Sequence, residues 1–209
     1  MGPLDNRIEP LRRSKAVRLG GRPSNSNCRI FAHQRDLKLI AELGRLKVNV
    51  DDDLDESGRT ALHEAVYRGD AEVAAALLEA GSKIELGDDR GRTPLHHAVA
   101  AGRAAMVHLL CDGGAALQCK DAHDVTPMHL AARLGHADVV TALLAHGADV
   151  EPLDAKGRRP VDLVLPQHFH VAELLDGEAE RRAAFAKGAA DADANAKRNV
   201  AMKLHWTPQ

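Results

Sequence analysis

The tetrapeptides Thr60-Ala61-Leu62-His63, Thr93-Pro94-Leu95-His96 and Thr126-Pro127-Met128-His129 recur at a fixed interval of 33 residues. A period of that size, held three times, describes similar units that cannot bury their apolar faces alone and must stack on one another. The same interval relates Gly69 to Gly102 and Gly135, Leu77 to Leu110 and Leu143, and Gly81 to Gly114 and Gly147. A fourth copy is degraded. Arg159-Pro160-Val161-Asp162 stands at the motif position, and one residue is missing before Val171, Leu174 and Leu175. Decay at an end is expected of a capping unit.

Each unit reads as two helices. Thr60, Thr93 and Thr126 are placed to cap free helix N–H groups, and Pro94 and Pro127 supply a first turn with a preset backbone angle. Ala65, Ala98, Ala131 and Ala132 then form a narrow face beside Leu62, Leu95 and Met128, which lets neighbouring helices approach. After the breaks at Gly69, Gly102 and Gly135, the apolar spacing predicts second helices over about 71–79, 104–112 and 137–145, ended by Gly81, Gly114 and Gly147. Helices this short are marginal in water, since isolated ones below about 12–15 residues rarely persist. Stability must come from stacking. With only five aromatic residues, Phe31, Tyr67, Phe169, Phe185 and Trp206, the core has to be built from Ala, Leu and Val.

The three motif copies resemble the ankyrin repeat family, over Asp55 to about Asp176. The resemblance implies an all-α solenoid of stacked antiparallel helix pairs with projecting β-hairpin turns. It places Asp55, Gly58, Asp88, Gly91, Asp154 and Gly157 in the turns before the helices, together with Asp121; Asp124 departs from the pattern where Gly is expected. Asp visits left-handed backbone better than most residues, so that copy should survive with local strain. For Thr60, Thr93, Thr126 and His63, His96, His129 the resemblance implies local and inter-repeat hydrogen bonds. Residues 28–54, with Ile30, Leu37, Ile40, Ala41 and Leu43, are read as a degenerate first repeat. The expected organisation is a basic N-terminal tail (1–27), a repeat domain with degenerate terminal units (28–176) and a partly helical C-terminal tail (177–209).

No catalytic constellation is evident. The recurring histidines repeat with their threonines, which argues for architecture, and His96-His97 lacks a third ligand at metal spacing. Cys28, Cys111 and Cys119 have no paired CxxC spacing, which disfavours a disulfide framework or structural zinc. Cys111 reads as a small buried hydrophobe and Cys119 as nearer a hairpin, without a His-Asp arrangement to activate it. Gly91-Arg92-Thr93 is not a phosphate-binding loop, and carboxylate pairs such as Asp88-Asp89 fall in turns. The chain is expected to be non-enzymatic and to need no cofactor or metal.

Positions that the repeat leaves free are the ones available for recognition. At the turn tips and helix entrances these are Glu56, Arg59, Asp89, Arg90, Arg92, His123, Val125, Lys156 and Arg158. Along the first helices they are Glu64, Tyr67, Arg68, His97, Leu130 and Arg133, assigned to a concave face. Arg59, Arg92 and Arg158 occupy matching positions, a basic row interrupted by Val125 that suits an acidic partner segment. Tyr67 offers aromatic contact area, and Trp206 in the C-terminal tail reads as an anchor for this protein or a neighbouring subunit.

The expected function is a protein-protein interaction module, a scaffold or adaptor subunit of a larger intracellular complex, with tails ordered by a neighbouring subunit. Two alternatives are a nuclear cofactor whose basic arm touches nucleic acid, and a substrate-recognition adaptor of a ubiquitin ligase. Residues 1–27 carry six basic and two acidic residues, but the chain's net charge of -2 and the lack of interleaved aromatics in the arm disfavour nucleic acid. No apolar run approaches the roughly 20 residues that cross a bilayer. The expected location is cytoplasmic, with the nucleus or a cytoskeletal assembly as alternatives.

Overall fold

The computed structural model describes residues 28–52 and 54–181. Helices α1 (Cys28–His33), α3 (Ala61–Arg68), α5 (Pro94–Ala100) and α7 (Pro127–Leu134) lie side by side in one row. Helices α2 (Leu37–Arg45), α4 (Ala71–Glu79), α6 (Ala104–Asp112) and α8 (Ala137–Ala145) form a second row behind it. Consecutive helices pair across the rows, so α3–α4, α5–α6 and α7–α8 are the three full units, with α1–α2 stacked before them. After α8 the first-row position is held by a single 3-10 turn, Pro160–Leu163, packed on α7. Another 3-10 turn, Pro166–His168, leads into a last helix, α9, described over residues 169–181.

Local chemistry explains these limits. Thr60, Thr93 and Thr126 sit at the first-row N-caps in extended backbone, with Pro94 and Pro127 at the first helical position of their units. The second-row helices occupy the residues expected from the spacing, and each gives way to a glycine at positive φ: Gly81 at 95°, Gly114 at 89° and Gly147 at 86°. That conformation costs glycine nothing and stops the helix.

The apolar stripes meet in one core. Leu77, Leu110 and Leu143 are fully buried and share it with Leu62, Leu95, Met128, Val73, Val107 and Val140. The core continues through Ile40 and Leu43 of α2 at one end and Val171 and Leu175 of α9 at the other. Small residues set the approach: a Cβ on Gly44 of α2 would lie 2.7 Å from the Ala80 Cα at the end of α4.

The projecting β-hairpins require correction, since no strand occurs among the described residues. Each inter-unit turn closes on two backbone bonds at its aspartate, as where the Asp88 N–H donates to the Arg92 carbonyl at 3.0 Å and the Asp88 carbonyl accepts from the Gly91 N–H at 2.8 Å. Neighbouring turns are joined by one bond each: Asp89 N–H to Ser57 O at 3.1 Å, Ala122 N–H to Arg90 O at 2.9 Å and Ala155 N–H to His123 O at 3.3 Å. A ladder needs successive pairs along both strands, and these tight turns are too short to supply them.

Candidate interaction surface

The first-row helices are tied to the turns by three repeated histidines. The Nδ1 atoms of His63, His96 and His129 accept the backbone N–H of Thr60, Thr93 and Thr126 at 3.1, 3.2 and 3.3 Å. A backbone N–H only donates, so Nδ1 carries the lone pair and Nε2 carries the proton. Each Nε2–H then donates to the next unit's carbonyl: His63 to Arg92 at 3.0 Å, His96 to Val125 at 3.0 Å and His129 to Arg158 at 2.9 Å. One ring therefore caps its own helix and locks the following turn.

The turns are built on aspartates. Asp55, Asp88, Asp121 and Asp154 each accept two backbone N–H groups from their own turn, those two and four residues on. In three of the four, the arginine four residues on closes over the second carboxylate oxygen. Arg59 reaches Asp55 at 2.7 Å, Arg92 reaches Asp88 at 2.9 Å and Arg158 reaches Asp154 at 2.7 Å. The arginine row expected to await an acidic partner is thus committed within the chain. Val125 breaks the row and packs partly buried against the core instead.

Asp88 carries the most partners. Its side chain is 1 % exposed and also accepts from His97 Nε2 at 3.0 Å, while the His97 ring meets His63 edge-on with centroids 5.0 Å apart. Burial pushes the Asp88 carboxyl upward, but the Arg92 N–H, the His97 ring, the Arg92 guanidinium and the Arg90 N–H together hold it well below the usual range. His97 was a candidate contact on the concave face; at 5 % exposure it is an internal strut. Leu130, at the matching place in the next unit, is likewise buried.

The other candidates divide by exposure. Glu56, Asp89, Arg90, His123 and Lys156 are exposed at the turn tips. On the first-row helices Tyr67 is 50 % exposed, Arg133 is exposed, and Glu64 is half-buried. Arg68 is exposed, with NH1 2.5 Å from His33 Nδ1 and Nε 3.8 Å from Asp70. Trp206 and the basic N-terminal segment lie outside the described residues.

At Asp124 the backbone has φ of 57°, where Gly58, Gly91 and Gly157 have 72°, 71° and 71°. Non-glycine residues pay for that region, and the exposed Lys120–Asp124 pair at 3.4 Å returns little. Asp124→Gly is expected to stabilise the chain by about 0.5 kcal/mol, the strain relief being partly offset by glycine's freedom in the unfolded state. A higher urea midpoint with unchanged slope is the expected reading.

Burial holds His63 and His96 below the ordinary imidazole range. It takes His97 down to about 4 from 6.5, against the opposing hydrogen bond to Asp88. A folded state that takes up a proton less readily than the unfolded chain loses stability as pH falls. The contribution is therefore complete above about pH 6.5 and drains away between 6.5 and 4. The melting temperature should be level above pH 7 and fall through that window, with His97→Leu flattening its lower part. The turn aspartates add a separate loss further down, because Asp55, Asp88 and Asp154 are all held below 3.8, Asp154 at about 2.

The Cys111 and Cys119 thiols are not activated. Burial pushes Cys111 and Cys119 up to about 11, and Cys119 Sγ rests 3.3 Å from Thr93 Oγ1 and 3.7 Å from His96 Nδ1 as a thiol. Among the described residues no group of three or more His, Cys, Asp or Glu is placed to hold a metal ion, and no helix is long and apolar enough to cross a membrane.

Two family models match the chain: ankyrin repeats in three copies over residues 81–154, and ankyrin repeats in many copies over residues 49–98. The chain belongs to the ankyrin repeat family. Its matched span covers the three full repeats, whose Thr-His bridges and aspartate turns are described above. No curated protein gives a significant match to the chain. Ankyrin-repeat architecture supports a protein-protein interaction module and is typically non-catalytic.

Proposed function

We propose that this ankyrin-repeat protein is a non-catalytic scaffold or adaptor that binds a protein partner across its turn tips and the exposed positions of its first-row helices. The observation that carries this reading is the contrast between backbone and side chain at the tips. The backbone of every turn is fastened by its aspartate and by a bond to a neighbouring turn, and the three turns after the first are also held by a histidine from the preceding first-row helix. The side chains of Glu56, Asp89, Arg90, His123 and Lys156 project from that frame into solvent. A surface held rigid before binding loses little entropy on association, which favours tight and selective recognition.

The tips carry mixed charge, and the three row arginines are already paired. Recognition therefore rests on an interleaved pattern of acidic and basic contacts with Tyr67 as the aromatic anchor, and an acidic segment alone is a poorer fit.

Crosslinking mass spectrometry of the tagged chain in its native cells tests the proposal. One neighbour should crosslink repeatedly at Lys120 and Lys156, and Arg90→Glu combined with Tyr67→Ala should lower its capture at least tenfold with helicity unchanged. Capture that survives the double substitution would move the partner to another face.

A further inference from the structure

The second-row helices carry a pair of histidines that the repeat does not call for. The positions matching His108 in the neighbouring units hold Ala75 and Thr141, and those matching His146 hold Ala80 and Gly113. His108 lies on α6 and His146 caps the end of α8, so the two come from adjacent units whose second helices pack together. His108 Nδ1 and His146 Nε2 are 3.0 Å apart, with ring centroids at 5.2 Å and the planes tilted by 56°. His108 is exposed and His146 half-buried, so the polar edge they share is open to solvent.

We propose that His108 and His146 form a two-imidazole site for a divalent transition-metal ion that staples α6 to α8. Zinc-nitrogen bonds are about 2.0–2.1 Å, so two nitrogens on one metal at angles between square and tetrahedral stand about 2.9–3.4 Å apart. The observed separation falls in that range; on binding, the proton between the rings moves to the other nitrogen of the donor ring, both facing nitrogens ligate the ion, and water completes its coordination. Both helices are fixed by the core beneath, where Val107, Leu110, Val139 and Leu143 are buried, so the ligands are brought together before the metal arrives. Nitrogen ligands of this kind select copper, nickel and zinc over magnesium or calcium. Two protein ligands give a site of modest affinity that responds to free-ion concentration.

The full chain is melted with and without 1 mM Ni2+, alongside His108→Ala and His146→Gln. Binding to the folded state raises the melting temperature by mass action. The wild type should gain several degrees and both variants should gain none, each measured against its own metal-free melting temperature. Cu2+ electron paramagnetic resonance should show two coupled nitrogens in the wild type and no more than one in either variant. An equal nickel shift in the variants, or no shift in the wild type, overturns the proposal, as does a copper spectrum unchanged by His108→Ala.

Discussion

Leu110→Ala is expected to cost about 2–5 kcal/mol of folding free energy, the sum of lost burial and the cavity left behind. Leu110 is fully buried on α6, the second helix of the middle full repeat, and α6 packs against α5, α4 and α8. A cavity there weakens the contact to both neighbouring units. In a chain of this size each kcal/mol moves the melting temperature by about 2–4 °C, so a fall of roughly 4–20 °C is expected. Glu79→Ala, exposed on α4, serves as the control and should stay within about 0.5 kcal/mol of the wild type. Equal melting of the two variants would mean that Leu110 does not belong to a shared core.

Asp88→Ala should be comparably damaging, at about 3–5 kcal/mol, because it strands a buried network. Five donors converge on this carboxylate: the Arg90 and Arg92 N–H groups, two guanidinium nitrogens of Arg92, and His97 Nε2. Arg92 is partly exposed and can turn toward water, whereas the His97 N–H is left without its acceptor in the interior. Asp121→Ala removes only the His123 and Val125 N–H bonds and should cost about 1–2 kcal/mol. The next repeat carries Leu130 where this one has His97, so His97→Leu supplies a side chain that needs no acceptor. In a double-mutant cycle, Asp88→Ala should cost at least 1 kcal/mol less on the His97→Leu background. Additive costs would show that the two side chains do not depend on each other.

Much of this architecture is legible in the residues because it repeats. The interval that aligns Leu77, Leu110 and Leu143 also sets the helix limits, and the structure places all three in one core. The absence of hairpin strands among the described residues was not legible, since nothing in the residue pattern says whether a turn's backbone bonds extend into a ladder. The pairing of the row arginines is hidden for a related reason. Aligning each arginine with its counterparts 33 residues away does not show that it pairs with the aspartate four residues before it. The spacing Asp-x-x-Gly-Arg, present at 55–59, 88–92 and 154–158, carried the signal. In the turn at 121–125 both the Gly and the Arg are replaced, by Asp124 and Val125, so the two exceptions belong to one turn. His97 was beyond reach for another reason: its burial depends on how closely the first-row helices approach. The His108–His146 contact joins residues 38 apart, off the repeat interval, and left no mark in the pattern.

The bridges that bind each repeat to the next turn can be read directly by long-range 1H-15N correlation of the histidine side chains at pH 7.5. His63, His96 and His129 should all appear as neutral rings with the proton on Nε2, and those protons should exchange with solvent slowly, as expected of buried donors to the Arg92, Val125 and Arg158 carbonyls. Rings protonated on Nδ1, or Nε2 protons that exchange as fast as those of an exposed histidine, would contradict a frame in which every repeat is pinned to its neighbour.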